Sequence, residues 1–277
     1  MRISVVNFKS QKDVIKNIAL MKDYIEKAVY SGTDFVVFPE LCITGYYYFL
    51  SDPKMINEEL VAQAVSMCQK ISCKQHIYIC FGAPYYEADL IYNAAFITCP
   101  DNTVKIYKKI HICGYEHQIF SKGRKPLILN TEYGKIGFGI CYDTIRFPEL
   151  IRYYCYKGVN LYVNLSAVTE DAQCDACYLK RVIEYHVLSN GIYIASSNVC
   201  GIQNGDKFSG GSCVAGPVRK TEKPIHYYCN EELSQEPGIF TAEIKPEENL
   251  RMIFDGNRFS PIPDFDMNLY YSWYQER

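Results

Sequence analysis

Short apolar runs of strand length alternate with amphipathic helical stretches along this chain, and the alternation restarts near residue 135. A strand–helix–strand unit places its helix over one face of a parallel sheet. Ile3 to Phe8 reads as the first strand. Ser10 with Asp13 resembles a capping box opening a helix on which Ile15, Ile18, Ile25 and Val29 share a face. Gly32 ends that helix, and Phe35 to Phe38 is a continuous apolar run, as in a strand buried on both sides. Asn57 to Ser72 gives a second amphipathic helix, and Ile77 to Phe81 a third strand ended by Gly82 and Pro84. Tyr92 to Thr98 and Val104 to Tyr107 form a hairpin about Asp101-Asn102. The second half repeats the scheme. Lys135 to Ile140 is a strand, with glycines that admit other backbone closely, and Phe147 to Tyr156 a helix. Val159 to Leu165 is a strand, 174–190 a helix with Tyr178, Val182, Tyr185 and Leu188 on one face, and Ile192 to Ser196 a strand. Residues 208–218 are a late strand and turn. Two similar halves predict an α/β protein in which two mixed sheets pack face to face under helices, a four-layer α-β-β-α sandwich. No linker interrupts the chain, so residues 1–277 are expected to form one domain, with 245–277 as a C-terminal arm.

Composition narrows the function. A net charge of −2 gives no reason to expect nucleic acid or an acidic membrane as partner. No apolar run approaches the ~20 residues that span a bilayer, and the N-terminus lacks a signal-peptide core. The 13 cysteines are odd in number and irregular in spacing, which predicts free thiols in a reducing cytoplasm. Cys174 and Cys177 make a lone CxxC, and His111 and His117 stand six residues apart; neither spacing suits a metal. The 25 tyrosines suggest no function by themselves.

The chemistry gathers at strand ends. In KIGFGICYDTIRFPEL, Cys141 sits where a strand turns into a helix, with Asp143 and Thr144 able to cap it. The geometry is that of a nucleophile elbow, and a helix N-terminus there would lower the thiol pKa. A cysteine in such a chain reads equally as a small buried hydrophobe. Glu40 follows the second strand in VVFPELCITGY, where apolar flanks would raise its pKa and suit it as a base; it also reads as a solvated acid opening a loop. Residues 105–123 bring Lys108, Lys109, His111, Glu116 and His117 into one charged segment, read either as a solvated loop or as the source of an oxyanion partner.

FPELCITGY, YKKIHI and GFGICYD…RFPEL, in that order, resemble the nitrilase, or carbon–nitrogen hydrolase, superfamily. Glu116 with Phe120 and Gly123, LKRVIEYHVLSNGIYIASSNVCG and FSGGSCV extend the likeness over most of the chain. The resemblance implies Cys141 as nucleophile, Glu40 as general base, Lys109 as cationic stabiliser and Glu116 as a second glutamate positioning substrate or lysine. It also implies an amidase-like branch, because CYD rather than CWE follows the strand. The reaction is then hydrolysis of a small linear amide or carbamoyl compound through a thioester, with no metal or other cofactor. Nitrile hydrolysis, acyl transfer and silent ligand binding are the alternatives. A homodimer or larger homo-oligomer follows from the same likeness.

There are departures. One residue more than usual separates Asp143 from Arg146, the helix reads RVIEYH where RAxENQ is common, and AGPVRK replaces P-x-G. Tyr142, Arg146, Asn164 and Tyr115 are candidate substrate contacts, with Ser166 and the loop 167–177 beside them. EDAQCDAC would favour a cationic or polar substrate tail, or it is an exposed loop.

Overall fold

A computed structural model describes residues 1–170, 177–217, 225–248, 251–256 and 260–275, the side chains at 248 and 252 excepted. In chain order the first half runs β1 (Arg2–Asn7), α1 (Val14–Tyr30), β2 (Phe35–Val37), α2 (Tyr46–Ser51), α3 (Glu58–Gln75), β3 (Tyr78–Glu87), β4 (Leu90–Thr98) and β5 (Val104–Lys108). The second half runs β6 (Ile128–Thr131), β7 (Gly134–Ile140), α4 (Tyr142–Arg146), α5 (Pro148–Tyr156), β8 (Leu161–Ser166), α6 (Tyr178–Asn190), β9 (Tyr193–Asn198), β10 (Cys200–Gln203), β11 (Asp206–Ser209), β12 (Cys213–Pro217), β13 (Ile225–Cys229) and β14 (Gly238–Glu243). Two short helices close the described chain, α7 (Met252–Asp255) and α8 (Met267–Gln275).

The strands form two six-stranded sheets, ordered β14-β1-β2-β3-β4-β5 and β13-β12-β9-β8-β7-β6. Each has three parallel strands at its centre, β1-β2-β3 or β7-β8-β9, flanked by antiparallel ones. Alternate residues of β2 feed different layers. Phe35 and Val37 join the cluster holding Phe138 and Ile140 of the second sheet, while Val36 packs with Met21 and Ile25 of α1 and Ala64 and Cys68 of α3. On the far side, Leu150 and Ile151 of α5 and Ile183 and Val187 of α6 cover the second sheet. The expected α-β-β-α layering of two mixed sheets is present.

Several local expectations shift. Asp13, not Ser10, caps α1 by accepting from Lys16 N–H, while the Ser10 hydroxyl donates to Cys42 O at 2.9 Å. Strand β3 does not stop at Gly82 and Pro84 but runs to Glu87, paired throughout with β4. Beyond Cys80 the β2 side of β3 has no ladder, and a proline is tolerated at such an edge. Helix α6 turns a different face inward from the one its large side chains suggest. Leu179, Ile183, His186, Val187 and Asn190 are buried, whereas Tyr185 and Leu188 are exposed. Buried polar residues that find partners, such as Asn17 in α1 and His186 in α6, set these faces. A hydrophobic count assigns such residues outward. In β7, tyrosine rings rather than backbone approach the glycines: a Cβ on Gly139 would collide with the Tyr162 hydroxyl. Cys174 and the acidic stretch up to residue 176 lie outside the described residues, as does the chain beyond residue 275.

Candidate active site

Glu40 follows the end of β2, at a backbone turn that reverses through Leu41 at φ 46°. Gly82 backs this turn: a Cβ there would sit 2.5 Å from Pro39 O and 2.7 Å from Glu40 Cα, so only glycine lets the two segments meet. Lys109 follows β5, which runs in the same direction as β3, so both residues emerge at the same end of the first sheet. Glu116 lies on the helical turn Gly114–Gln118. All three side chains are removed from solvent.

They form one cluster. Lys109 Nζ donates to Glu40 Oε1 at 2.7 Å and to Glu116 Oε1 and Oε2 at 2.8 and 2.9 Å. Asn93 Nδ2 donates to Glu40 Oε1 at 2.7 Å and to Glu116 Oε1 at 3.1 Å, and Cys113 N–H donates to Glu116 Oε2 at 3.0 Å. Glu116 is therefore engaged at both oxygens and orients the lysine. Glu40 is engaged only at Oε1; its Oε2 is buried without a partner.

Two carboxylates share one ammonium in a dry environment. Burial raises the Glu40 pKa to about 7, with Glu116 adding to the effect and Lys109 opposing it. Burial works against the Lys109 charge, but Glu40 and Glu116 outweigh it, so its pKa is raised and the ammonium persists.

Cys141 ends β7 at φ 47°, ψ −92°, and is partly buried. Its backbone N–H donates to Leu165 O at 2.8 Å, and the Ala167 N–H points at its sulfur. The thiol pKa is raised, not lowered as the helix N-terminus suggested. Burial is the largest cause and the Glu40 charge the next, while Lys109 pulls the other way. The five-residue α4 does not offset that burial and the neighbouring Glu40 charge. No side chain caps α4. Asp143 instead accepts from Ile140 N–H at 3.1 Å.

Of the candidate substrate contacts, Tyr142 is partly buried, with its ring edge-on to Phe147. Tyr115 and Arg146 are exposed; the Arg146 charge acts on the Cys113 thiol. Asn164 belongs to the layer under the elbow. It is fully buried, accepts from the Thr144 hydroxyl at 2.7 Å and donates to Ser166 and Ser196 at 2.7 and 2.9 Å, which leaves its amide no donor for a ligand. Asn93 was not foreseen; its signal was a lone amide inside the apolar run LIYNAAFI. Tyr46 was not foreseen either. Its ring packs with Tyr47 and Phe208 beside Ala167, and the charges of Glu116, Glu40 and Cys141 all add to the effect of burial in opposing its ionisation. Among the described residues no cluster of His, Cys, Asp and Glu has the makings of a metal site.

A model of the carbon-nitrogen hydrolase family matches residues 2–221. The chain belongs to that family. This hydrolase is 29% identical over 219 residues to a probable nitrilase of Schizosaccharomyces pombe, covering 77% of the chain and 79% of the relative. It is 27% identical to an omega-amidase of Danio rerio over 214 residues, 71% of the chain and 73% of the relative. Among solved structures, an amidase of the nitrilase superfamily from Nesterenkonia superposes with a TM-score of 0.79 at 22% identity, covering 99% and 97% of the two chains. Another form of that amidase carries the product of Michael addition of acrylamide at its active-site cysteine, with a TM-score of 0.78, 22% identity and 99% coverage of both chains.

Proposed function

We propose that this hydrolase cleaves the C–N bond of a small linear amide or N-carbamoyl compound through a thioester on Cys141. The observation that carries the reading is the division of labour at Glu40. One oxygen is fixed by Lys109 and Asn93, and the other is buried and unpartnered, on a carboxyl whose pKa is lifted to about 7. A base poised near neutrality beside a protonated thiol is what general-base activation of sulfur requires.

Glu40 Oε2 takes the thiol proton as the sulfur adds to the carbonyl carbon. Tyr142 opens α4, so its N–H lacks an intrahelical acceptor and is free to donate to the oxyanion with Lys109. Glu40 passes its proton to the departing nitrogen, and ammonia or an amine leaves. The base then takes a proton from water, whose oxygen attacks the thioester, and returns that proton to the departing sulfur as the acid is released. Glu116 holds Lys109 throughout.

The omega-amidase and amidase relatives favour amides, and the nitrilase relatives keep nitriles as the second reading. An ammonia-release screen across ω-amides, carbamoyl amines, carbamoyl amino acids and nitriles tests both. Cys141→Ala is expected to abolish turnover, while Cys42→Ala and Cys155→Ala retain it. Equal loss in all three sinks the nucleophile assignment. Self-association belongs to the same proposal: Tyr185 and Leu188 of α6 and Tyr271, Trp273 and Tyr274 of α8 are exposed apolar groups suited to a second copy.

A further inference from the structure

Asp143 stands two residues past the thiol and is fully buried, so its carboxylate needs donors. It has four. Oδ2 accepts from the Tyr107 hydroxyl at 2.8 Å and the Ile140 N–H at 3.1 Å. Oδ1 accepts from the His111 backbone N–H at 2.9 Å and lies 2.8 Å from His111 Nδ1. The imidazole is stacked flat on Phe147, with ring centroids 3.5 Å apart and planes at 6°. Thioester chemistry uses none of these groups. Their placement is nevertheless specific. Tyr107 and His111 bracket Lys109 in sequence and belong to the first sheet and its loop. Ile140 and Asp143 bracket Cys141 and belong to the second sheet and to the helix α4 that follows it. One carboxylate thus pins the segment bearing the ammonium to the segment bearing the sulfur. It does so where the chain needs holding, because Cys141 adopts positive φ and no side chain caps the helix behind it.

We propose that His111 and Asp143 are a positioning pair that sets the separation of the Cys141 sulfur from the Lys109 ammonium. The pair touches no substrate and acts through these two groups, so the inference rests on the reading of Cys141 as nucleophile. It predicts that the side-chain donor at His111 matters for the chemical step and little for substrate affinity, because small displacements of reacting groups are costly.

The test compares two substitutions in the full chain, using an amide turned over in the screen above. His111→Phe keeps an aromatic surface for Phe147 and removes the donor. His111→Asn keeps a donor near the Nδ1 position. His111→Phe is expected to lower kcat about 10- to 100-fold with KM nearly unchanged and the enzyme still folded at the assay temperature, and His111→Asn to recover most of it. The rate at which iodoacetamide alkylates Cys141, read by peptide mass spectrometry, is expected to fall and recover in the same order. If His111→Phe does not fold, Tyr107→Phe, which removes one hydroxyl from Asp143, is expected to lower kcat with KM unchanged. Full activity in His111→Phe overturns the pair, and so does equal loss in His111→Phe and His111→Asn, or a fall in kcat accounted for by unfolding at the assay temperature. If the parent enzyme's turnover survives Cys141→Ala, the thioester reading fails instead.

Discussion

Glu40 has two oxygens in different surroundings, one bonded to Lys109 and Asn93 and the other without a partner. Replacing it with glutamine keeps an acceptor for Lys109 and Asn93 but removes the proposed base. Glu40→Gln is expected to stay folded by circular dichroism and to lose roughly 10²–10⁴ in kcat. The sign of the pH dependence follows from burial. The carboxyl pKa is raised to about 7 and its ionised form is the proposed base, so kcat/KM should rise with pH through about 7. An acid limb at the ordinary carboxylate range would contradict this. Lys109 has a structural task as well as an electrostatic one. Lys109→Ala leaves two carboxylates facing each other in the interior and is expected to cost about 3–5 kcal/mol of unfolding free energy by denaturant titration.

Helix α6 shows what a periodicity reading can and cannot recover. Its existence was legible from the spacing of its apolar side chains; its inward face was not, because His186 is held inside by a 2.8 Å bond to Thr144 O behind the elbow. That histidine makes a prediction of its own. Burial lowers its pKa below the ordinary value, so the folded protein prefers it neutral. Its contribution is present above pH 6.5 and is lost as pH falls below 6.5 toward the depressed folded value, where the unfolded chain binds the extra proton. His186→Gln should flatten the fall in Tm over that interval. The same contrast runs through the active site. Glu40, Lys109, Glu116 and Cys141 could be singled out because they stand just past strands or in a charged segment with recognisable neighbours. Asn93 showed only as a lone amide in an apolar run and Tyr46 not at all, since their places come from contacts across distant strands and loops. The direction of the thiol shift was also beyond local reading, because it depends first on burial between the layers and then on the Glu40 charge carried by the other sheet.

At the scale of the molecule, layering was readable from the repeated strand–helix order, whereas the position of the last helix was not, since its pattern is weak. Helix α8 leaves Trp273 and its tyrosine neighbours exposed, and α6 presents Tyr185 and Leu188. Light scattering is expected to give a multiple of the 31.9 kDa chain mass, and Trp273→Glu with Tyr271→Glu to shift it toward a single chain. A parent protein of single-chain mass would remove the self-association proposal. The candidate site is divided between the layers: Glu40 and Lys109 follow strands of one sheet and Cys141 follows a strand of the other. A half-synthesised chain therefore carries the two acids and the ammonium but not yet the sulfur, and the proposed site is complete only once the second layer has been made and has docked on the first.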